Sequence, residues 1–113
     1  MRPESKKLLW DAREAAVLVA DFIRGRDFSG YQVDALLRSG VERQLEIVGE
    51  ALAQLRRTDP DLSVMISYLP RVVGLRNILI HGYAVVESRL VWGVAQGDLP
   101  ALRERLDELL RDG

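Results

Sequence analysis

VDALLRSGVERQLEIVGEALAQL, residues 33–55, is the stretch whose reading decides the fold. Val33, Leu37, Val41, Leu45, Val48, Leu52 and Leu55 recur at spacings of three and four, which places all seven on one face of a helix. Gly40 and Gly49 sit inside this stripe. Each costs about 1 kcal/mol relative to alanine in a helix interior, so a packing reason is expected, namely the close approach of another helix. No segment of the chain shows a convincing period-two alternation of the kind a strand requires. The fold predicted is all-α.

Working outward, Leu8, Leu9, Ala12, Ala15, Ala16, Val19, Phe22 and Ile23 mark a first helix from Glu4 to about Arg24, with Pro3 suited to its start and Gly25 to its end. Arg26 to Ser29 reads as a short connection, with Ser29 as the cap of the long helix that follows. After it, Thr58-Asp59-Pro60-Asp61 is a turn, and Leu62 to Tyr68 a short helix or irregular segment. Pro70 opens a third principal helix running to about Val85. Glu87 to Val94 is a further helical piece. Gln96-Gly97-Asp98-Leu99-Pro100 breaks the chain, with Asp98 capping a last helix through Leu110 that turns Leu102, Leu106, Leu109 and Leu110 inward. Trp10 and Trp92 read as bundle packing. The expectation is an up-and-down bundle of four to five helices forming one domain over residues 1–113, with no internal repeat or linker.

Bulk composition narrows the chemistry. Sixteen basic residues against seventeen acidic ones leave the chain near neutral, so it lacks the basic excess of proteins that hold nucleic acid by bulk electrostatics. Any such contact must be local. There is no cysteine, which excludes disulfides, thiolate metal sites and cysteine catalysis. Met1 to Lys7 is charged and has no signal-peptide apolar core, and no run approaches the roughly 18 apolar residues of a membrane span. A cytoplasmic protein without membrane contact is expected.

Residues 76–83, Arg76-Asn77-Ile78-Leu79-Ile80-His81-Gly82-Tyr83, carry the candidate chemistry. At about 100° per residue from Arg76, the residues Leu75, Ile78, Leu79 and Gly82 fall between about 200° and 300°, an apolar arc expected to face the core. Gly82 in that arc would permit a close helix crossing. Opposite it, Arg76 stacks with Tyr83 at i,i+7 and Asn77 with His81 at i,i+4. Between these polar columns run Val73 and Ile80, a second apolar strip that points to a second packing partner, a dimer interface doubling as a site. A neutral imidazole can take a ribose 2′-hydroxyl proton and an imidazolium can return one to the leaving oxygen. A guanidinium matches phosphate oxygens with a two-pronged fork. Acid and base are both wanted, yet His81 is the only histidine; a two-fold dimer would supply the second. Asn77 would orient His81 or hold a phosphate or sugar oxygen. Against this stands the plainer reading that a helical histidine is usually a surface or core-edge residue, and spacing alone leaves function open.

Glu46 and Glu50, one turn apart, read as a solvated or salt-bridged face rather than a metal pair, since nothing completes a ligand set. Arg43 can pair with Glu46 at i,i+3. Arg56, Arg57 and Arg71 are candidates for local RNA contacts, and the alternating charges from Arg103 to Arg111 mark an exposed face.

Residues 76–83 closely resemble the Arg-X4-His-X-Tyr motif of HepT-like proteins in the HEPN superfamily. Residues 41–51, Val41-Glu42-Arg43-Gln44-Leu45-Glu46-Ile47-Val48-Gly49-Glu50-Ala51, resemble that family's second-helix signature. The spacing to Val91-Trp92 and to Asp98-Leu99-Pro100-Ala101-Leu102 is similar too, so the likeness spans nearly the whole chain. It departs at Tyr68, where the family more usually has tryptophan, a difference that bears on packing. The resemblance implies a helical homodimer, the toxin of a bacterial or archaeal toxin–antitoxin system. It implies a metal-independent endoribonuclease, needing no cofactor, with Arg76 and His81 catalytic in a composite cleft and Asn77 a polar helper. It further implies a minimal nucleotidyltransferase antitoxin that silences the toxin by transferring AMP to Tyr83. The competing expectation is a non-catalytic nucleotide- or partner-binding subunit of a nucleotidyltransferase complex.

Overall fold

The computed structural model describes residues 1–82 and 86–113. Among them every regular element is helical: α1 (Pro3–Ile23), α2 (Phe28–Val33), α3 (Ala35–Thr58), α4 (Pro60–Ser63), α5 (Leu69–Ile80), α6 (Ser88–Gly93), a π-helical turn (Val94–Asp98) and α7 (Leu99–Asp112). The four long helices lie side by side in the order α7, α1, α3, α5, with α3 between α1 and α5. The molecule measures 42 × 29 × 19 Å, so its thinnest dimension is close to two helix diameters. No helix of the described residues is long and apolar enough to cross a membrane.

The α3 stripe is the floor of the core. Leu37, Val41, Leu45, Val48, Leu52 and Leu55 are all buried. Against them α1 turns Leu9, Ala12, Ala15, Ala16 and Val19, whose three alanines let the two helices approach closely. Leu102, Leu106 and Leu109 of α7 close the far side, with Leu110 packed at its edge. Ser5, itself buried, donates to Asp59 Oδ2 at 2.6 Å and so ties the start of α1 to the end of α3. Asp59 in turn caps α4 by accepting from the Leu62 N–H at 3.3 Å.

Several boundaries differ from the sequence expectation, each for a local reason. Val33 does not open the α3 stripe but stands 82% exposed, because the chain stops being helical at Asp34. There the Asp34 carboxylate accepts from the Leu37 N–H at 3.0 Å and caps α3. Ser29 is not a cap; it lies inside α2, which Asp27 caps by accepting from the Gly30 N–H at 2.8 Å. Residues 96–100 do not break the helix. The Leu99 N–H reaches back five residues to the Val94 carbonyl, and the widened turn absorbs Pro100, which has no N–H to give. Asp98 makes no side-chain cap there and instead pairs with Arg71. Trp92 packs as expected, its ring 5.3 Å from that of the fully buried Tyr31 and 6.5 Å from Phe28. Trp10 does not: it is half exposed on α1, with the Arg13 guanidinium 5.3 Å from its ring centre.

Candidate functional site

The rotation of α5 determines how the site is built. Its buried residues are Leu69, Val72, Val73 and Leu75. On the helical wheel that starts at Arg76 these span from about 260° through zero to about 60°, so the face against α3 is centred close to Arg76 itself. The expected core arc was set roughly a quarter-turn away. Of that arc Leu75 is buried and Leu79 packs against the core, but Ile78 is only partly buried, and Val73 belongs to the core rather than to an outer strip. Ile80 alone of that strip is outward, 44% exposed.

An arginine can occupy the packed face of a helix only if its stem has somewhere to lie. Gly49 of α3 provides the place. A Cβ built on Gly49 would stand 2.2 Å from Arg76 Cβ, 2.8 Å from Arg76 Cγ and 3.2 Å from the Val72 carbonyl oxygen. The packing reason expected for a glycine inside α3 is therefore Arg76. Gly40 shows no such reason, since the Phe22 ring would stand 3.4 Å from its would-be Cβ, an ordinary contact.

Crossing Gly49, the Arg76 side chain stays only 23% exposed and its guanidinium emerges between helices. Nη1 donates to Asn77 Oδ1 at 2.9 Å, and Nη2 donates to the Glu50 carboxylate. The buried Nε has no hydrogen-bond partner among the described residues. The guanidinium borders an open groove of about 440 Å³ along α1, α3 and α5. Leu8, Ala15, Leu18, Ile47 and Ile80 make its apolar wall, and Leu18 is 42% exposed. Four carboxylates (Asp11, Glu14, Glu46 and Glu50) line it against two guanidiniums (Arg43 and Arg76), so the lining carries a net negative formal charge.

α5 ends before the motif does. Ile80 is its last residue, His81 takes the C-cap position with its N–H donating to the Asn77 carbonyl at 3.2 Å, and Gly82 follows at φ +65°. This is a left-handed glycine ending a helix, a conformation that costs other residues more. Gly82 thus serves as a terminator; among the described residues nothing lies within 4 Å of its would-be Cβ, so none of their helices crosses there. His81 is exposed at the helix end, one residue beyond Ile80, where the groove lining stops. The reading of Tyr83 lies outside the described residues, and the helix invoked to stack it on Arg76 stops at Ile80.

Sequence reasoning missed one member of this constellation as such. Glu50 belongs to a face that the sequence marks as solvated or salt-bridged, and it is salt-bridged, but to Arg76 of another helix. Glu46 pairs with Arg43 at 3.2 Å, the i,i+3 contact expected. Arg56 and Arg57 are exposed in the last turn of α3, whereas Arg71 is held by Asp98. Among the described residues no group of three or more histidine, aspartate or glutamate side chains is arranged to hold a metal ion.

Comparison with known proteins gives a family match. Residues 12–109 match the family model described as Ribonuclease HepT-like. The chain is similar to a "putative RNase" of Methanocaldococcus jannaschii, 33% identical over 90% of this chain and 93% of the relative. It is also similar to a "probable ribonuclease HepT" of Thermococcus cleftensis, 30% identical over 96% of this chain and 98% of the relative. A "putative RNase" of Caldanaerobacter subterraneus is 28% identical over 79% of each chain. No solved structure matches.

Proposed function

The chain belongs to the HepT-like ribonuclease family, and on that premise we propose that it is a metal-independent endoribonuclease, the toxin of a toxin–antitoxin pair. The observation that carries this reading is Arg76, a guanidinium seated on a glycine and presented at an open groove five residues before the chain's only histidine. In the proposed reaction His81 takes the ribose 2′-hydroxyl proton, and the oxygen attacks the adjacent phosphorus. Arg76 stabilises charge on the phosphorane-like transition state, with Asn77 fixing the guanidinium through its Oδ1. A proton must also reach the departing 5′-oxygen. One histidine per chain makes a homodimer, with His81 and Arg76 of both protomers at a shared cleft, the arrangement that supplies it. The exposed Leu18 and Ile80 beside the groove support a second subunit on this face. The proposed antitoxin is a nucleotidyltransferase that attaches AMP to Tyr83, adding a bulky anion two residues from His81.

A second reading is favoured by the groove's charge. Four carboxylates against two guanidiniums repel a polyanion, which fits a non-catalytic subunit that binds a nucleotidyltransferase rather than RNA. One experiment separates the two. Purified protein is incubated with RNA in the presence of a chelator, beside His81→Ala and Arg76→Ala. Cleavage by the wild type alone is expected. RNA left intact by all three, with transferase binding retained, favours the second reading.

A further inference from the structure

Arg76 leaves the core already constrained. Its Cβ and Cγ rest on Gly49, so the stem has little freedom, and two acceptors on different elements then hold the guanidinium plane. Asn77 Oδ1, from the next residue of α5, takes a proton of Nη1. The Glu50 carboxylate, from α3, takes one of Nη2. Asn77 turns with α5 and cannot by itself fix the guanidinium relative to α3. Glu50 is anchored in the neighbouring helix and can.

We propose that Glu50 is a positioning residue: it fixes the direction in which Arg76 presents its remaining N–H groups to a substrate phosphate. This rests on the reading of Arg76 as the phosphate-binding arginine of a ribonuclease. A preorganised donor stabilises developing charge because no reorientation is needed when the charge appears. The same carboxylate carries a cost, since its negative charge stands beside the arriving phosphate and weakens substrate binding. Positioning and repulsion therefore act on different kinetic constants. Removing Glu50 lowers kcat while leaving KM unchanged or lower. Loss of fold or of the groove's shape would instead raise KM or reduce the amount of active protein.

The test is steady-state cleavage of a short RNA by the full chain, comparing wild type, Glu50→Ala and Glu50→Gln, with folding checked by thermal melting. Glu50→Ala is expected to lose about tenfold to a hundredfold in kcat with no rise in KM. Glu50→Gln keeps an acceptor oxygen for Nη2 and is expected to recover most of that loss. An unchanged kcat in Glu50→Ala overturns the proposal, and so does a gain in kcat in both variants, which would make the carboxylate a block. A wild type that cleaves nothing overturns the ribonuclease reading instead. The clamp is then tested by ¹⁵N spectra of the arginine side chains, assigned with Arg76→Lys. Two distinct Nη signals for Arg76 that merge in Glu50→Ala support it, and one averaged signal in the wild type overturns it.

Discussion

Arg76 of α5 lies directly upon Gly49 of α3, with its Cβ only 2.2 Å from the point where a side chain on that glycine would begin. An alanine at position 49 would gain up to about 1 kcal/mol of helix propensity. It would also force α5 away from α3, because the atoms in the way are the rigid start of a side chain and the Val72 carbonyl, not a flexible tip. Overpacking of this kind costs about 1–3 kcal/mol. Gly49→Ala is therefore expected to show a net loss of stability in denaturant melts, together with loss of RNA cleavage as Arg76 shifts. Gly74→Ala is the control. It sits within α5 with nothing within 4 Å of its would-be Cβ, and should gain up to about 1 kcal/mol. A Gly49→Ala variant as stable as Gly74→Ala would show that the two helices separate freely.

The contrast between these glycines shows what was legible in the sequence. A glycine inside a strong helical stripe announces a close approach, and Gly49 has one, whereas Gly40 meets the Phe22 ring only at ordinary contact distance. What approaches is a relation between two helices, which a one-dimensional pattern does not contain. Arg76 sits within the packed face of α5, because its three-carbon apolar stem lies against α3 while its charge emerges at the edge, and a charge in the sequence marks an outward face instead. The same limit applies at Glu50, whose partner is 26 residues away. Boundaries at Asp34 and Asp27 slipped for another reason: aspartate side chains took backbone N–H groups that a continuous stripe or Ser29 was expected to satisfy. α1, α7 and the α3 core were readable because periodicity defines them, whereas α5 was marked chiefly by Pro70 at its start.

Two helix-capping carboxylates link stability to acid. A hydrogen bond from Ser5 is the main cause holding the Asp59 carboxyl below the usual carboxylate range, and one from the Leu37 N–H does the same for Asp34. A folded-state pKa below the unfolded one means that the unfolded chain binds more protons, so the contribution is complete above the unfolded value, about 3.9, and is lost as pH falls through the folded value. Asp59→Asn and Asp34→Asn are expected to melt below wild type at pH 7, with the gap closing under about pH 4. A gap of constant size across that range would assign the effect to packing.

At the alkaline end the sign reverses. Tyr31 is fully buried beside Trp92, and burial, with a smaller push from Glu42, raises its hydroxyl to about 12. Between the ordinary tyrosine value near 10 and that raised value, the folded state keeps a proton that the unfolded state has released. Stability should therefore fall as pH rises through this window. Ultraviolet titration of the folded protein should show a late phenol phase that Tyr31→Phe removes. A Tyr31 phenol that ionises with a midpoint near the ordinary value of about 10 would mean that Tyr31 is reached by solvent.

Ile80 decides whether the groove is a surface or half of an interface. It is 44% exposed on α5 next to His81, while the neighbouring hydrophobic residues Val72, Val73 and Leu75 are buried. A side chain already that exposed costs little when changed in an isolated subunit, so Ile80→Glu should leave the monomer's fold intact. In a two-fold dimer the change counts twice and places two like charges at one seam, where desolvation and repulsion cost several kcal/mol. Light scattering should then find a dimer for the wild type and a monomer for Ile80→Glu at micromolar concentration. Cleavage should vanish in the variant even though Arg76 and His81 are untouched, because each half-site lacks its second histidine. An Ile80→Glu monomer that still cuts RNA would mean that one subunit holds both the acid and the base, and His81 would need a different partner from its own copy.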